Sequence, residues 1–305
     1  MSEHALVIGE ALVDVVVRTD GSTDSHPGGS PANVALGLGR LGRDVELLAY
    51  LAQDDNGAVV SDHLAASGVA LASGSLDAPA TSVATARLDE TGAATYDFDL
   101  TWDISAQAAP RPAPIVVHTG SIAAVLAPGA AAVRAIVEAQ RPTATVTYDP
   151  NARPTLMGDP AEARALVEQM IALADVVKVS DEDVEWLCGG DVDAAAREWA
   201  AAGPAFVVVT RGGEGATAFV ADGRELSIAA PKVTVADTVG AGDSFMGGLV
   251  DGLWGAGLLG ADRREALRAI DDSTLTGILE RCARIAAITV SRPGANPPGR
   301  EELGE

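Results

Sequence analysis

The chain has 305 residues, of which 48% are hydrophobic, so it can bury a core and has the composition of a globular protein. Its formal charge of −22 argues against a broad nucleic-acid-binding face, because phosphate binding needs stripes of Lys and Arg. The N-terminal segment lacks the basic residues of a targeting signal, and no stretch of ~18 apolar residues predicts a membrane span. We therefore expect a cytoplasmic protein with neither a membrane nor a nucleic-acid partner.

Short apolar segments alternate with helical patterns along most of the chain. Residues 5–8 predict a buried strand, and SPANVALGLGRLG after them predicts a helix with Ser30 as its N-cap and Gly42 at its end. Four later strands, each ending in a polar loop, are predicted in PIVVHTG, TVTYDPN, DVVKVSDED and AFVVVTRGG. Helices are predicted in PGAAAVRAIVEAQ, PAEARALVEQMIALA, VDAAAREWAAAG and LTGILERCARIAAITV. This alternation predicts a mainly parallel sheet with helices on both faces, which binds ligands at the carboxyl ends of its strands.

Two stretches near the N-terminus depart from the alternation. Residues 81–100 alternate polar and apolar side chains around a turn, which predicts a hairpin, and ALVDVVVRTD is also strand-like. FVADGREL predicts a further hairpin nearer the C-terminus. We expect a single α/β domain spanning residues 1–305, with a small β lid formed by residues approximately 10–27 and 81–104.

The stretch DTVGAGDSF, residues 237–245, carries the clearest chemical signal. Gly240, Ala241 and Gly242 can expose successive backbone N–H groups at the start of a helix, which makes an anion hole. Asp243 then lies in the first turn, where it could accept a proton from an alcohol during phosphoryl transfer. A Gly-rich helix start with an acidic residue in its first turn explains the same spacing equally well.

Two segments, GGSPANVALGLGRLG and DTVGAGDSFMGGL, resemble the signatures of the ribokinase (PfkB) family of sugar kinases and occur in the family's order. The resemblance extends from GEALVD near the start to RPGANPP near the end. It implies a ribokinase-like, doubly wound α/β fold with a β lid over the sugar. It also implies that ATP and Mg²⁺ are used to phosphorylate a hydroxymethyl group.

The resemblance assigns roles to the two signature segments. Asp243 corresponds to the catalytic base, and the Gly240–Gly242 segment to the anion hole that also contacts the nucleotide. In the N-terminal half, the resemblance implies sugar-binding residues, namely Asp14, Gly28, Gly29 and Asn33. Without the resemblance, Asp14 would be interpreted as a turn or edge-strand residue.

YDPNARPTL resembles the DxNxR element of fructokinase-like and ketodeoxygluconate kinase-like members. The resemblance suggests that Arg153 clamps phosphate or substrate, although a salt bridge within the loop is an equal alternative. Phe98 lies in the predicted lid and is a candidate for choosing the sugar.

Two further segments resemble the nucleotide side of family sites. TRGGEG matches the family's TxGxxG and places Thr210, Gly212 and Gly215 against the nucleotide. KVSDED, with Lys178 and Ser180, lies where many members carry NxxE, and there Asp183 is a candidate to hold a Mg²⁺-bound water. Alternatively, Ser180 and Asp183 simply form a near capping box for the next helix.

A monovalent-cation loop is also implied by the resemblance. Asp237, the carbonyl of Val239 and the segment around Gly294 resemble the loop that binds K⁺ in some members. A bound K⁺ would tune the adjacent anion hole.

GGSPANVA, the YDFDL hairpin and DPNAR are most similar to fructokinase-like members, which favours fructose as the acceptor. A 2-keto-3-deoxygluconate kinase, a ribokinase and a nucleoside kinase are alternatives within the family. A non-catalytic regulator that binds sugar and nucleotide is an alternative of a different class. By analogy with lids that pair between subunits, a homodimer is expected.

Overall fold

The computed structural model describes residues 3–89, 94–104 and 110–305. Its strands are β1 (Ala5–Ile8), β2 (Leu12–Val17), β3 (Thr23–Gly28), β4 (Val45–Leu48), β5 (Val69–Leu71), β6 (Val83–Leu88), β7 (Ala94–Asp99), β8 (Val116–Gly120), β9 (Thr145–Asp149), β10 (Val176–Ser180), β11 (Phe206–Thr210), β12 (Ala216–Val220) and β13 (Glu225–Ile228). Its α-helices are α1 (Ser30–Arg40), α2 (Asp55–Ala65), α3 (Gly129–Gln140), α4 (Pro154–Met157), α5 (Pro160–Ile171), α6 (Asp181–Cys188), α7 (Val192–Ala202), α8 (Ala241–Gly255), α9 (Arg264–Arg268), α10 (Asp272–Val290) and α11 (Arg300–Leu303).

The main sheet has nine strands in the order β13-β12-β11-β10-β9-β8-β1-β4-β5. All neighbouring pairs from β11 to β5 are parallel, whereas β12 and β13 are added antiparallel at one edge. Helices cover both faces, because parallel strands need crossover connections and each face must be shielded from water. The mainly parallel, doubly wound architecture predicted from the sequence is confirmed.

A second, smaller sheet has the strand order β3-β2-β6-β7. Strands β2 and β3 form one antiparallel hairpin and β6 and β7 form another, and the two hairpins join through a parallel β2–β6 pairing. All four strands of this small sheet lie between residues 12 and 28 or between residues 83 and 99. The turn predicted at residues 90–92 lies outside the described residues, and the division of the chain into one domain with two inserted segments stays a prediction.

Two large hydrophobic clusters lie against the main sheet. One includes side chains of α1, α8 and α10, and the other includes side chains of α3, α5 and α7. Strand residues alternate between them, so that Val7 belongs to the first cluster and Leu6 and Ile8 to the second. A strand buried on both sides must be apolar throughout, which explains why ALVI lacks the alternation of an exposed strand.

Several local predictions need correction. The N-cap of α1 is Gly29, not Ser30, and Ser30 lies inside the helix with its hydroxyl turned toward another chain segment. Strands β4 and β5 were not predicted, because VELL and VAL are too short to show a period. His4 is buried directly before β1, and His118 is buried within β8. Within the described residues, no helix is long and apolar enough to cross a membrane.

Candidate active site

The site lies where the order of the main sheet changes direction. From β1, the chain continues through β4 and β5 on one side of the sheet and then returns to β8 on the other. The crossovers from β1 and β8 therefore leave in opposite directions, and a crevice opens beyond the carboxyl ends of these strands. The small sheet begins directly after β1, at Leu12, and thus borders the same crevice.

A cavity of 340 Å³ occupies this crevice. It is lined by residues of the small sheet, of α1, of the segments that follow β1, β8 and β9, and of the start of α8, with polar and apolar side chains in similar numbers. Those predicted to act on substrate or anion are Asp14, Gly29, Asn33, Phe98, Arg153, Gly240, Ala241, Gly242 and Asp243, and Val239, predicted to bind a monovalent cation, also lines the cavity. The others include Glu10, Ser30, Ser121, Asn151 and Thr238. The structure thus brings together residues separated by more than half the chain.

Asp243 is the most strongly hydrogen-bonded acidic residue of the cavity. Its Oδ1 accepts a bond of 2.7 Å from the Ser30 hydroxyl and one of 3.3 Å from the Asn151 amide, and its Oδ2 accepts one of 2.8 Å from Asn33. Asp243 lies in the first turn of α8, where the helix dipole favours a negative charge. Three donors and the helix end together hold a carboxylate in one orientation toward the cavity.

The start of α8 requires small residues. Gly240 is the N-cap with a φ of 75°, and a Cβ added to it would lie 2.6 Å from the Cβ of Ala295. Ser244 N donates to Gly240 O and Ala241 N donates to Thr238 O over 3.3 Å, whereas no side chain caps the helix start. The first turn of α8 therefore presents amides at the cavity that lack a side-chain acceptor, which is the arrangement that binds anions.

A buried positive charge lies directly behind this helix start. A Cβ added to Gly242 would lie 2.8 Å from Lys178 Nζ, so the ammonium group contacts the backbone of α8. Lys178 donates a bond of 2.8 Å to Asp149 Oδ2, and both side chains are almost inaccessible to water. Burial disfavours the charge on Lys178, but Asp149, Asp183 and Asp243 outweigh it and raise the pKa of the ammonium group. The anion hole is thus backed by a permanent cation.

The loop after β9 links the helix start to the rest of the site. Asn151 has a φ of 36°, which is unusual for a residue other than glycine, and donates to Asp243. The next residue, Ala152, donates its N–H to Asp183 Oδ1 over 3.0 Å. Asp183 therefore holds the loop, and Ser180 accepts a bond from Asp183 N as the N-cap of α6. The predicted cap is confirmed, while the metal-related role of Asp183 stays a prediction.

Arg153 projects into the cavity without an ion pair in the part of the chain that the structure describes. Its guanidinium donates to the side-chain and main-chain oxygens of Asn151 and to the carbonyl of Ala152. The salt bridge considered as an alternative is therefore not formed. Arg153 still lowers the pKa of Asp14, although burial has the larger effect and raises it.

Asp14 and the glycines next to α1 fit tightly together. A Cβ on Gly28 would lie 2.0 Å from Asp14 Oδ2, and one on Gly29 would lie 2.4 Å from the carbonyl of Glu10. Gly29 also has a φ of 105°. Only glycine therefore lets the chain pass between the carboxylate and the end of β1. Gly28 itself does not line the cavity, but its missing side chain leaves room for Asp14.

Of the residues predicted to contact the nucleotide, Ala241 and Gly242 line the cavity, whereas the others lie beside it. Lys178 and Ser180 belong to β10, Thr210 ends β11, and Gly212 and Gly215 form the following turn. Since β10 and β11 are parallel neighbours, these residues share one edge of the sheet. Their contact with nucleotide stays a prediction.

Asp237 organises the loop that precedes α8. It accepts bonds from the N–H groups of Val239, over 3.0 Å, and Gly294, over 2.8 Å. The residues predicted to bind K⁺ are thus neighbours, but no group of three or more His, Cys, Asp or Glu side chains within the described ranges could hold a metal ion. Monovalent-cation binding stays a prediction.

Sequence reasoning missed several polar cavity residues. Ser30 was interpreted only as a helix cap, and Asn151 only as part of a motif. Glu10, Ser121 and Thr238 were not singled out by any pattern. Ser121 has a φ of 53° and, like Asn151, is one of the few described residues other than glycine with a positive φ. Both of these strained residues line the cavity.

Comparison with known proteins agrees with this geometry. The chain is 33% identical to a fructokinase of Rhizobium leguminosarum bv. trifolii over 269 residues, covering 81% of this chain and 79% of the relative. It is 31% identical over 315 residues to a fructokinase of Escherichia coli, covering 99% of each. The crystal structure of a fructokinase from Xylella fastidiosa with bound ATP has a TM-score of 0.84 at 24% identity, over 100% of this chain and 98% of that one.

The family pattern of pfkB carbohydrate kinases matches residues 2–302, almost the entire chain. Both signature segments of that family meet at the cavity, where Asn33 from the first donates to Asp243 from the second. The chain therefore belongs to the pfkB family of carbohydrate kinases.

Proposed function

We propose that this protein transfers the γ-phosphoryl group of ATP to a primary hydroxyl of fructose, with Asp243 as the general base. The observation that carries the proposal is the Asp243 carboxylate, which three side-chain donors hold at the amide-rich start of α8, facing the cavity. A base next to an anion hole is the combination that phosphoryl transfer to an alcohol needs. The fructokinase names of the relatives support fructose as the acceptor.

The residues divide the work by their position. Asp14, from the small sheet, accepts hydrogen bonds from sugar hydroxyls and orients the acceptor in the cavity. Asp243 accepts the proton of the attacking hydroxyl. The amides of Ala241 and Gly242 hold the transferred phosphoryl group, and Lys178 supplies fixed positive charge from behind.

The nucleotide is expected at the neighbouring edge of the sheet, against Thr210, Gly212 and Gly215, with Ser180 close by. Asp149 Oδ1 is buried and lacks a hydrogen-bond partner among the described residues, and the charge of Asp183 acts on Asp149. These two carboxylates fit a Mg²⁺ that keeps most of its ligands as water and phosphate oxygens. When bound, Mg²⁺ neutralises charge on the phosphates.

The Arg153 side chain supports a second candidate acceptor, 2-keto-3-deoxygluconate. Its guanidinium lines the cavity without an ion pair within the described residues and could bind the carboxylate of that substrate. Asp14 and Asp243 lie in the same cavity, however, and would repel an anionic acceptor. The balance of charge therefore favours the neutral sugar.

The proposal is tested with an ADP-release assay, using Mg-ATP and fructose, ribose, 2-keto-3-deoxygluconate, tagatose or adenosine, each with and without K⁺. We expect turnover to depend on added sugar and to be fastest with fructose. Preferred turnover of the keto acid would instead assign Arg153 to the substrate carboxylate. Silence on all five, with ATP and a sugar still binding by calorimetry, would refute the kinase and favour a regulator.

Sedimentation measures whether the protein is a dimer, which we expect to form through the small sheet. A monomer at assay concentrations would refute that part of the proposal without affecting the chemistry.

A further inference from the structure

Glu10 is a buried carboxyl group in the cavity to which the proposed reaction assigns no role. It follows β1 directly and is 7% exposed. Ser121 follows β8, the sheet neighbour of β1, and its hydroxyl lowers the pKa of the Glu10 carboxyl group, so the two side chains lie together in the crevice between these central strands. Both residues line the same cavity as Asp14 and Asp243.

The hydrogen bonds of Glu10 are incomplete. Its Oε2 has no hydrogen-bond partner among the described residues, although the atom is shielded from water. A buried polar atom without a partner destabilises the fold, so such an atom beside a cavity indicates a ligand that would complete its hydrogen bonds. The last torsion of a glutamate is soft, and a small rotation exchanges the two oxygens between Ser121 and the cavity.

The surrounding charges decide the protonation of Glu10. Arg153 from the β9 loop and Asp243 from α8 are the charged groups that act on it, and Asp14 from the small sheet lines the same cavity. Burial has the largest effect and raises the pKa of Glu10 to about 7; Arg153 and Ser121 counteract it only in part. Arg153 forms no ion pair with Glu10 within the described ranges, because it is bonded to its own loop.

We infer that Glu10 is an acceptor-binding residue whose protonated carboxyl group donates a hydrogen bond to an oxygen of the sugar. The inference rests on the proposed sugar kinase function. It gives the sugar a second carboxyl contact, in which Glu10 donates a hydrogen bond whereas Asp14 accepts. The Asp14 and Asp243 carboxylates can only accept, and the amides of Asn33 and Asn151 each give one of their two N–H donors to Asp243. The carboxylic acid of Glu10 supplies a further donor for a sugar oxygen, on the side of the cavity formed after β1 and β8.

The test compares Glu10→Gln with the wild-type protein between pH 5.5 and 8.5. The measurements are the Kd of fructose and of ATP by calorimetry, and kcat and KM by ADP release. In the wild type, we expect the fructose KM to rise several-fold as the pH passes through 7, since Glu10 then loses its proton. In Glu10→Gln, which keeps a donor but cannot ionise, we expect this rise to disappear while the ATP Kd stays unchanged.

Glu46→Gln is the matched control, because Glu46 is a buried glutamate on β4 that pairs with Arg111 outside the cavity. It should keep the pH dependence of the wild type. The same rise in Glu10→Gln as in the wild type, or a flat wild-type profile, would overturn the inference. Equal losses of fructose and ATP binding in Glu10→Gln would also overturn it, because they would indicate a structural role.

A measurement on the wild type alone keeps the inference testable if the variant fails to fold. Fructose binding at pH 7.5 is measured in buffers of different ionisation enthalpy, and we expect uptake of a fraction of a proton. Binding without proton uptake would contradict the inference. Absence of fructose binding at any pH would refute the proposed acceptor instead, so the two failures are distinguishable.

Discussion

The role of Asp243 is most sharply tested by Asp243→Asn. The substitution keeps the size of the side chain and removes its charge and its ability to accept a proton. In the structure, Oδ1 serves two donors, Ser30 and Asn151, while Oδ2 serves Asn33 alone. The new amide can therefore place its oxygen toward Ser30 and Asn151 and its NH₂ toward Asn33, whose own amide can turn over to accept.

The magnitudes separate catalysis from folding. General base catalysis contributes typically ~10²–10⁴-fold, equivalent to about 3–5 kcal/mol of the activation barrier, so kcat should fall by that factor. The hydrogen bonds are largely retained, and the loss of charge at the helix start costs about 0.3–1 kcal/mol, so the free energy of unfolding should change by about 1 kcal/mol. Affinities for ATP and fructose should change by less than about threefold, which is under 1 kcal/mol.

The assay combines ADP release for kcat with calorimetry for the two affinities and denaturant unfolding for stability. Asp54→Asn is the control, because Asp54 caps α2 and accepts hydrogen bonds outside the cavity, and its turnover should remain that of the wild type. Turnover of Asp243→Asn within tenfold of the wild type would refute the role as base. Loss of both affinities would show that the aspartate is structural.

The same geometry leads to three further predictions. Gly242→Ala places a methyl group 2.8 Å from Lys178 Nζ, so kcat should fall at least tenfold. Gly277→Ala is the control, because Gly277 lies within α10 with open space around it, and this variant should keep the kcat of the wild type; equal kcat values in the two variants would contradict the contact. Lys178→Met leaves the Asp149 carboxylate buried without its partner and should lower the free energy of unfolding in urea by about 3–5 kcal/mol. Adding Asp149→Asn should recover part of this loss, whereas losses that simply add in the double variant would argue against coupling between the two side chains. Burial raises the pKa of Glu10 from 4.5 in the unfolded chain to about 7 in the folded protein, so its contribution to stability is full below pH 4.5 and is lost as the pH rises toward 7. Over that range, the difference in unfolding free energy between the wild type and Glu10→Gln should shift by about 3 kcal/mol against the wild type. A difference that stays constant with pH would contradict the raised pKa.

Much of the secondary structure could be predicted from local sequence patterns. ALVI, PIVVHTG and FVVVT are apolar without alternation, because parallel strands covered on both faces have no polar side, and each became a central strand. Asp191 and Asp271, with polar side chains ahead of helical patterns, cap α7 and α10. The strands that escaped prediction, β4 and β5, are held by pairing with neighbours rather than by their own pattern.

The family signatures also pointed to the helix start and the aspartate that line the cavity. The backbone at the start of α8 requires glycine, since Gly240 adopts a positive φ and Gly242 lies against Lys178. Such requirements restrict the residue type at a position and can therefore be recognised in the sequence. The roles of Thr210 and Asp237 rest on the same kind of motif and await experiment.

Only the tertiary structure showed which polar side chains meet Asp243. Ser30 lies 213 positions from Asp243 in sequence, and its local pattern predicted only a helix cap, yet its hydroxyl donates to the proposed base. Glu10 and Ser121 likewise become partners only because β1 and β8 are neighbours in the sheet. A local sequence pattern predicts the backbone conformation around each position. Contacts across the crevice where the strand order changes direction depend on that strand order, which no local pattern predicts.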